Sequence, residues 1–136
     1  VEFWRDKGGM DAPFWVNGLE AGAIDDWNES GRDPVVLAAY QWKRIIETTH
    51  DEARGLSQEQ YIEVKYEDFV VSSPDVTSKL LSWAGLIVDP ADLQVEMIGT
   101  EFSDMNRKYL EVFTSEQLTV MNRIMGPVLD QLGYSI

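Results

Sequence analysis

Between two amphipathic stretches lies one short segment, Tyr61-Ile62-Glu63-Val64-Lys65-Tyr66, that is β-branched and aromatic and alternates along its length. This pattern predicts a strand. No other part of the chain reads convincingly as one. A lone strand leaves its backbone N–H and C=O groups without a ladder, so it needs strands from outside itself. The expectation is that the chain is incomplete, so that a missing part supplies the partner, or that it assembles with something else, such as another copy of itself.

Helical signals surround that segment. Asp33-Pro34 opens the first long helix, because Asp accepts the free N–H groups of a first turn and Pro fits the first helical position. Val35, Ala38, Trp42, Ile45 and Thr49 recur at steps of three and four residues, which predicts one apolar stripe, with the helix running to about Arg54 and Gly55 as its stop. Ser73-Pro74 opens a second helix with Val76, Leu80, Trp83 and Ala84 inward and Gly85 as the stop. Asp89-Pro90 opens a short one carrying Leu93 and Met97, and residues 99–113 read as an irregular loop. Thr114 or Ser115 caps the last helix, with Glu116 or Gln117 near the capping-box position. Its core face is Leu118, Met121, Ile124, Met125, Val128, Leu129 and Leu132. Pro127 is expected to kink it, and Gly133 to end it.

Residues 1–32 form the least regular part, a Trp- and Gly-rich segment of loops and short helical turns pinned by Trp4, Trp15 and Trp27. Its acidic run, Glu20, Asp25, Asp26 and Glu29, reads as a solvated face, with recognition of a basic acceptor as the other reading. Residues 33–136 carry the regular helical pattern, within what reads as a single domain overall.

Charge and composition narrow the functions. Eleven Lys and Arg against 24 Asp and Glu give a formal charge of −13. That field repels polyanions, so neither nucleic acid nor an anionic membrane surface is an expected partner. The absence of cysteine removes disulfides, thiolate zinc sites and cysteine nucleophiles, and a single histidine, His50, argues against a multi-histidine metal centre or a His-dependent triad. No apolar run approaches the ~18 residues that span a bilayer, and no signal-peptide pattern opens the chain, so the expected location is cytoplasmic.

The order of segments says more than composition. The run Tyr61-Ile62-Glu63-Val64-Lys65-Tyr66-Glu67-Asp68-Phe69-Val70, then Ser73-Pro74, then a helix ending Trp83-Ala84-Gly85-Leu86 resembles the strand, Tyr-Glu-Asp-Leu, Pro, helix, Gly-Leu block of sulfotransferases that use 3′-phosphoadenylyl sulfate. Asn106-Arg107-Lys108-Tyr109, a Thr/Ser-capped helix, Gly126-Pro127-Val128-Leu129 and Leu132-Gly133-Tyr134 extend the likeness to the end of the bacterial and tyrosylprotein sulfotransferases. The resemblance covers roughly residues 33–136. It implies an α/β, P-loop-like fold of which this chain is the mostly helical C-terminal part with one strand. It implies transfer of a sulfuryl group from 3′-phosphoadenylyl sulfate to a hydroxyl of a carbohydrate, a peptide tyrosine or a small molecule, with no metal. The family's phosphosulfate loop and its upstream Arg-Asp unit have no counterpart here, so this segment alone is expected to be inactive. Arg32-Asp33-Pro34 mimics the Arg-Asp motif in letters but reads as a helix cap.

By the same resemblance, Lys108 contacts the donor, with Tyr109 the aromatic that follows it, and Tyr66 borders the nucleotide at the end of its strand. A polyanionic donor needs local cations and hydrogen-bond donors. Arg107, outside the family pattern, with Asn106 and Ser103, makes the best such cluster around Lys108. Trp15 and Trp27 are candidates for the floor of the acceptor pocket, with core packing as the plainer reading. Glu67 and Asp68 read as caps of the following turn, His50 as a helix-end histidine, and no catalytic base is assigned. Two other functions fit less well: a non-enzymatic helical interaction module that binds through a Trp-rich surface, and a magnesium-dependent P-loop phosphotransferase fragment.

Overall fold

The computed structural model describes residues 16–89, 92–93 and 109–134. Among the described residues these helices follow one another: α1 (Ala21–Glu29), α2 (Pro34–Ala53), α3 (Tyr66–Val71), α4 (Ser73–Trp83), α5 (Tyr109–Val112) and α6 (Ser115–Gln131). The chain divides into two compact units, Val1–Glu52 with Val112–Ile136, and Ala53–Glu111.

The described residues contain no strand, which overturns the α/β, P-loop-like expectation and its one strand at 61–66. The physical reason lies at Tyr66. Lys65 is extended, at φ −76° and ψ 136°, and Tyr66 then turns directly into α3, with Glu67 and Asp68 in the first turn, where the helix's partial positive charge favours acids. The Phe69 N–H donates to the Lys65 carbonyl at 3.2 Å, so the end of the alternating run is committed to helix pairing. Residues 61–65 belong to no helix and no ladder. Alternation reported a half-buried segment, with Tyr61, Ile62 and Val64 partly buried and Glu63 and Lys65 exposed. It could not report whether a neighbouring strand exists.

In the first unit, α1 fills part of the stretch expected to be loops and short turns. It stops where Gly31 takes φ 72°, with the Gly31 N–H on the Asn28 carbonyl at 3.1 Å and the Arg32 N–H on the Trp27 carbonyl at 3.0 Å. This paired arrangement satisfies the last carbonyls of a helix. Arg32 follows with φ 64°, an unfavourable value for a residue with a Cβ. Its guanidinium lies 5.3 Å from the centre of the Trp27 ring, and its Nε donates to the Asn28 Oδ1 at 3.3 Å. Those contacts offset the strain. Asp33 then caps α2, its Oδ1 accepting the Val35 N–H at 2.8 Å, so the Arg-Asp-Pro letters form a helix cap.

The core of this unit is Trp27, Val36, Leu37, Ala39 and Ile124, with Val16, Leu19, Tyr40, Val120, Met121 and Met125 packed against it. On α2 the buried positions are Val36, Leu37 and Ala39, not the stripe expected from spacing; Ala38 and Thr49 are exposed, and so is Ile45. The run from Val35 to Tyr40 is apolar or aromatic at every position, so periodicity alone selects no face there. On α6 the expected face holds, with Ile124 and Val128 buried and Leu118, Met121, Met125, Leu129 and Leu132 partly so. Its capping box is complete: the Gln117 N–H donates to Thr114 Oγ1 at 3.2 Å and the Thr114 N–H to Gln117 Oε1 at 3.1 Å. Pro127 sits inside α6, which runs on to Gln131, and Gly133 ends it at φ 76°.

In the second unit, residues 57–60 form a turn, with the Gln60 N–H on the Ser57 carbonyl at 2.9 Å. The Trp83 Nε1 donates to the Gln58 carbonyl at 2.6 Å and ties the end of α4 to that turn. Trp83 and Ala84 are exposed, against the expectation that both point inward, while Val76 and Leu80 are half-buried. The indole of Trp83 is held by its polar edge rather than by an apolar surround. Ser72 hydrogen-bonds Asp75 across the entry to α4, where Pro74 stands in the first turn. Gly85, at φ 76°, closes α4 as foreseen, with the Leu86 N–H on the Leu81 carbonyl at 2.8 Å. The N–H groups of Asp92 and Leu93 reach the Asp89 carbonyl at 3.0 and 3.3 Å, and the rest of the short helix foreseen there, including Met97, lies outside the described residues. Tyr109–Val112, expected as loop, is helical as α5.

Candidate functional site

The residues nominated from sequence separate. Ser103, Asn106, Arg107, Lys108 and Trp15 lie outside the described residues. Tyr66 is the first residue of α3 and is 45% exposed, so its ring is open to a ligand. Trp27 is in the core at 4% exposure, packed with Val36, Leu37, Ala39 and Ile124. Its Nε1 is enclosed with no hydrogen-bond partner, an arrangement that costs about 1–3 kcal/mol when a polar group is buried so. Glu67 and Asp68 occupy the first turn of α3, as acids do that favour a helix N-terminus. His50 is half-buried near the end of α2. Among the described residues no group of three or more His, Asp or Glu could hold a metal ion, and no helix is long and apolar enough to cross a membrane.

The first unit holds an organised polar cluster. The Tyr40 hydroxyl donates to the Asp26 Oδ2 at 2.5 Å, and the Arg123 Nη1 donates to the same oxygen at 3.0 Å. One carboxylate on α1 thus joins a phenol on α2 and a guanidinium on α6. The hydrogen bond from Tyr40, and then that from Arg123, hold the Asp26 carboxyl below its ordinary value of 3.8. Burial, and then the carboxylate beside it, push the Tyr40 hydroxyl above its ordinary value of 10.0. Both shifts keep Asp26 charged and Tyr40 protonated near neutral pH, which is the combination that preserves the hydrogen bond.

Beside this cluster is a cleft with a cavity volume of about 250 Å³. One wall is Leu19, Glu20, Gly22 and Ala23; the other is Tyr40, Lys43, Arg44 and Glu47 of α2. The α2 residues lie at steps of three and four, so one helix face supplies them all. Lys43 Nζ reaches both carboxylate oxygens of Glu47 at 2.7 Å, so those two charges satisfy each other. Sequence reading missed the cleft because Lys43, Arg44 and Glu47 look like an ordinary solvated face. It missed the Asp26–Arg123 pair because 97 positions separate the two, and no local pattern encodes such a distance. No family model, no curated protein and no solved structure matches the chain.

Proposed function

We propose that these residues are the C-terminal portion of a cytoplasmic sulfotransferase that moves a sulfuryl group from 3′-phosphoadenylyl sulfate to a hydroxyl acceptor. The observation that carries the reading is the order of backbone events between Tyr61 and Leu86. An extended Lys65 hands over to a helix at Tyr66, acids follow in its first turn, Pro74 opens the next helix, and Gly85 closes it in the left-handed region. This is the segment order of the Tyr-Glu-Asp block, apart from the strand. Tyr66, exposed at a helix start, offers a ring face for an adenine, since aromatic faces stack on flat heterocycles. Lys108, with Arg107, Asn106 and Ser103, would supply charge and hydrogen bonds to the phosphates. Sulfuryl transfer, like phosphoryl transfer, depends mainly on positioning and charge stabilisation, and the sequence carries no Gly-rich phosphate loop to supply it. With radiolabelled donor the chain alone is therefore expected to transfer no sulfate.

Calorimetry with adenosine 3′,5′-bisphosphate tests the binding role. Lys108→Ala and Tyr66→Ala should each weaken binding by roughly tenfold, the loss of one charge-assisted contact or one stacking platform. Affinity unchanged in both variants removes these residues from the donor site. One observation favours the second reading, a non-enzymatic interaction module: the described part of the second unit exposes Val71, Leu86 and Ile87 and contains no strand. On that reading the bisphosphate does not bind at all.

A further inference from the structure

We infer that the cleft between the start of α1 and the middle of α2 binds a compact zwitterion, a small molecule with an ammonium group, a carboxylate and an apolar body. The inference goes beyond the sulfotransferase proposal and does not depend on it. Four charged side chains line the cleft: Glu20, Lys43, Arg44 and Glu47. Lys43 and Glu47 neutralise each other through their two 2.7 Å contacts. Glu20, the residue before α1, makes no side-chain capping bond. Arg44 is exposed and makes no hydrogen bond or ion pair among the described residues. The cleft therefore presents one uncommitted anion and one uncommitted guanidinium.

A guanidinium fork matches a carboxylate with two parallel hydrogen bonds, and a carboxylate such as Glu20 accepts from an ammonium. A ligand of one sign would satisfy one wall and repel or desolvate the other. Leu19, Ala23 and the half-buried Tyr40 ring supply the apolar ground between them. Gly22 leaves that ground open, since a Cβ built there would meet nothing within 4 Å. Tyr40 is fixed from behind by its hydrogen bond to Asp26, so this part of the lining is set before any ligand arrives.

The test is a proton–nitrogen correlation NMR titration of the 136-residue chain with L-leucine, isoamylamine and isocaproate, which share an apolar body and differ in charge. L-leucine should give saturable shifts at the amides of residues 19–23 and 40–47, and each singly charged analogue should bind about tenfold or more weakly, the loss of one charge-assisted contact. Arg44→Gln and Glu20→Gln, both at exposed positions, should each reduce L-leucine affinity by a similar factor with unchanged helix content. Gly22→Leu should fill the cleft and abolish the shifts. No saturation by about 20 mM L-leucine, well past weak-ligand affinity, overturns the inference. So does equal binding of the singly charged analogues, or unchanged affinity in both charge variants.

Discussion

Among the described residues, the two units bury their apolar side chains to different depths. Every buried apolar residue among those described belongs to the first unit: Ala23, Trp27, Val36, Leu37, Ala39, Ile124 and Val128. In the second unit the one buried residue described is a serine, Ser73, while Val71 is 86% exposed and Ile87 102% exposed. Both units use the same local grammar of caps and glycine stops. The difference lies in tertiary burial, and it teaches that well-formed helix ends do not by themselves make a core. Helical stability in proteins comes mostly from packing of a face, with end effects a smaller addition. The first unit should therefore hold its structure largely through the packing of its described core.

The strongest test of that contrast is Leu37→Ala. Leu37 is 1% exposed and central in the cluster, so its removal should cost about 2–5 kcal/mol, the range for large-to-small changes in a packed core. Denaturant unfolding followed through hydrogen exchange at α2 and α6 amides reads the loss where it occurs. A cost below 1 kcal/mol, roughly what an exposed substitution gives, would mean that the cluster is not packed as described.

A smaller effect is expected to be shared by both units. Gly85 and Gly133 each sit at φ 76° just beyond a helix, and each helix end is closed by the same pair of hydrogen bonds. Alanine at either position meets the left-handed penalty, about 1–2 kcal/mol. Similar losses for Gly85→Ala and Gly133→Ala, read as shifts in local exchange stability, would show that the grammar is independent of the core. A much larger loss at Gly133 would show that the stop is coupled to the packing of α6.

That grammar is what the sequence made legible. Asp33 before Pro34, Thr114 with Gln117, Pro74, Gly85 and Gly133 act over a few residues, so their chemistry is visible in a short window. The face of α6 was legible too, because polar residues flank its apolar positions. The face of α2 was not, because six successive apolar or aromatic positions outvote any periodicity. Residues 61–65 show the third case: alternation describes burial, and strand formation depends on a neighbour that no local window contains. Of the candidate residues, Tyr66 is 45% exposed and Glu20 was named only within an acidic run, whereas Tyr40 and Arg44 were unforeseen because their meaning comes from helices meeting in space.

The Asp26–Tyr40–Arg123 cluster gives the first unit a pH signature. Asp26 is depressed below 3.8, so its contribution is complete above that value and fades as the pH falls through the lower, folded-state one. Tyr40 is raised above 10.0, so its contribution is complete below that value and fades as the pH rises through the higher, folded-state one. Asp26 has a third of its side-chain surface exposed, at 34%, so the effect is modest and weakened by salt. The melting temperature of the first unit should decline at both extremes, and Tyr40→Phe should flatten the alkaline decline and reduce the acid one. Identical pH profiles for the two proteins would leave the cluster without a stabilising role.

The smallest effect expected is none. Ile87 exposes its whole surface, so Ile87→Ser removes no buried area and should change stability by less than about 0.5 kcal/mol, the usual range for surface substitutions. Solubility should rise, because an exposed Leu86-Ile87-Val88 run offers apolar surface for association. A stability loss above about 1 kcal/mol, typical of a buried position, would mean that the run is covered in solution. The contrast between the units would then be one between burial within the described chain and burial against something else. Repeating the measurement across a range of protein concentrations separates the two: a loss that grows with concentration comes from association between copies, since binding to the folded form alone stabilises by mass action.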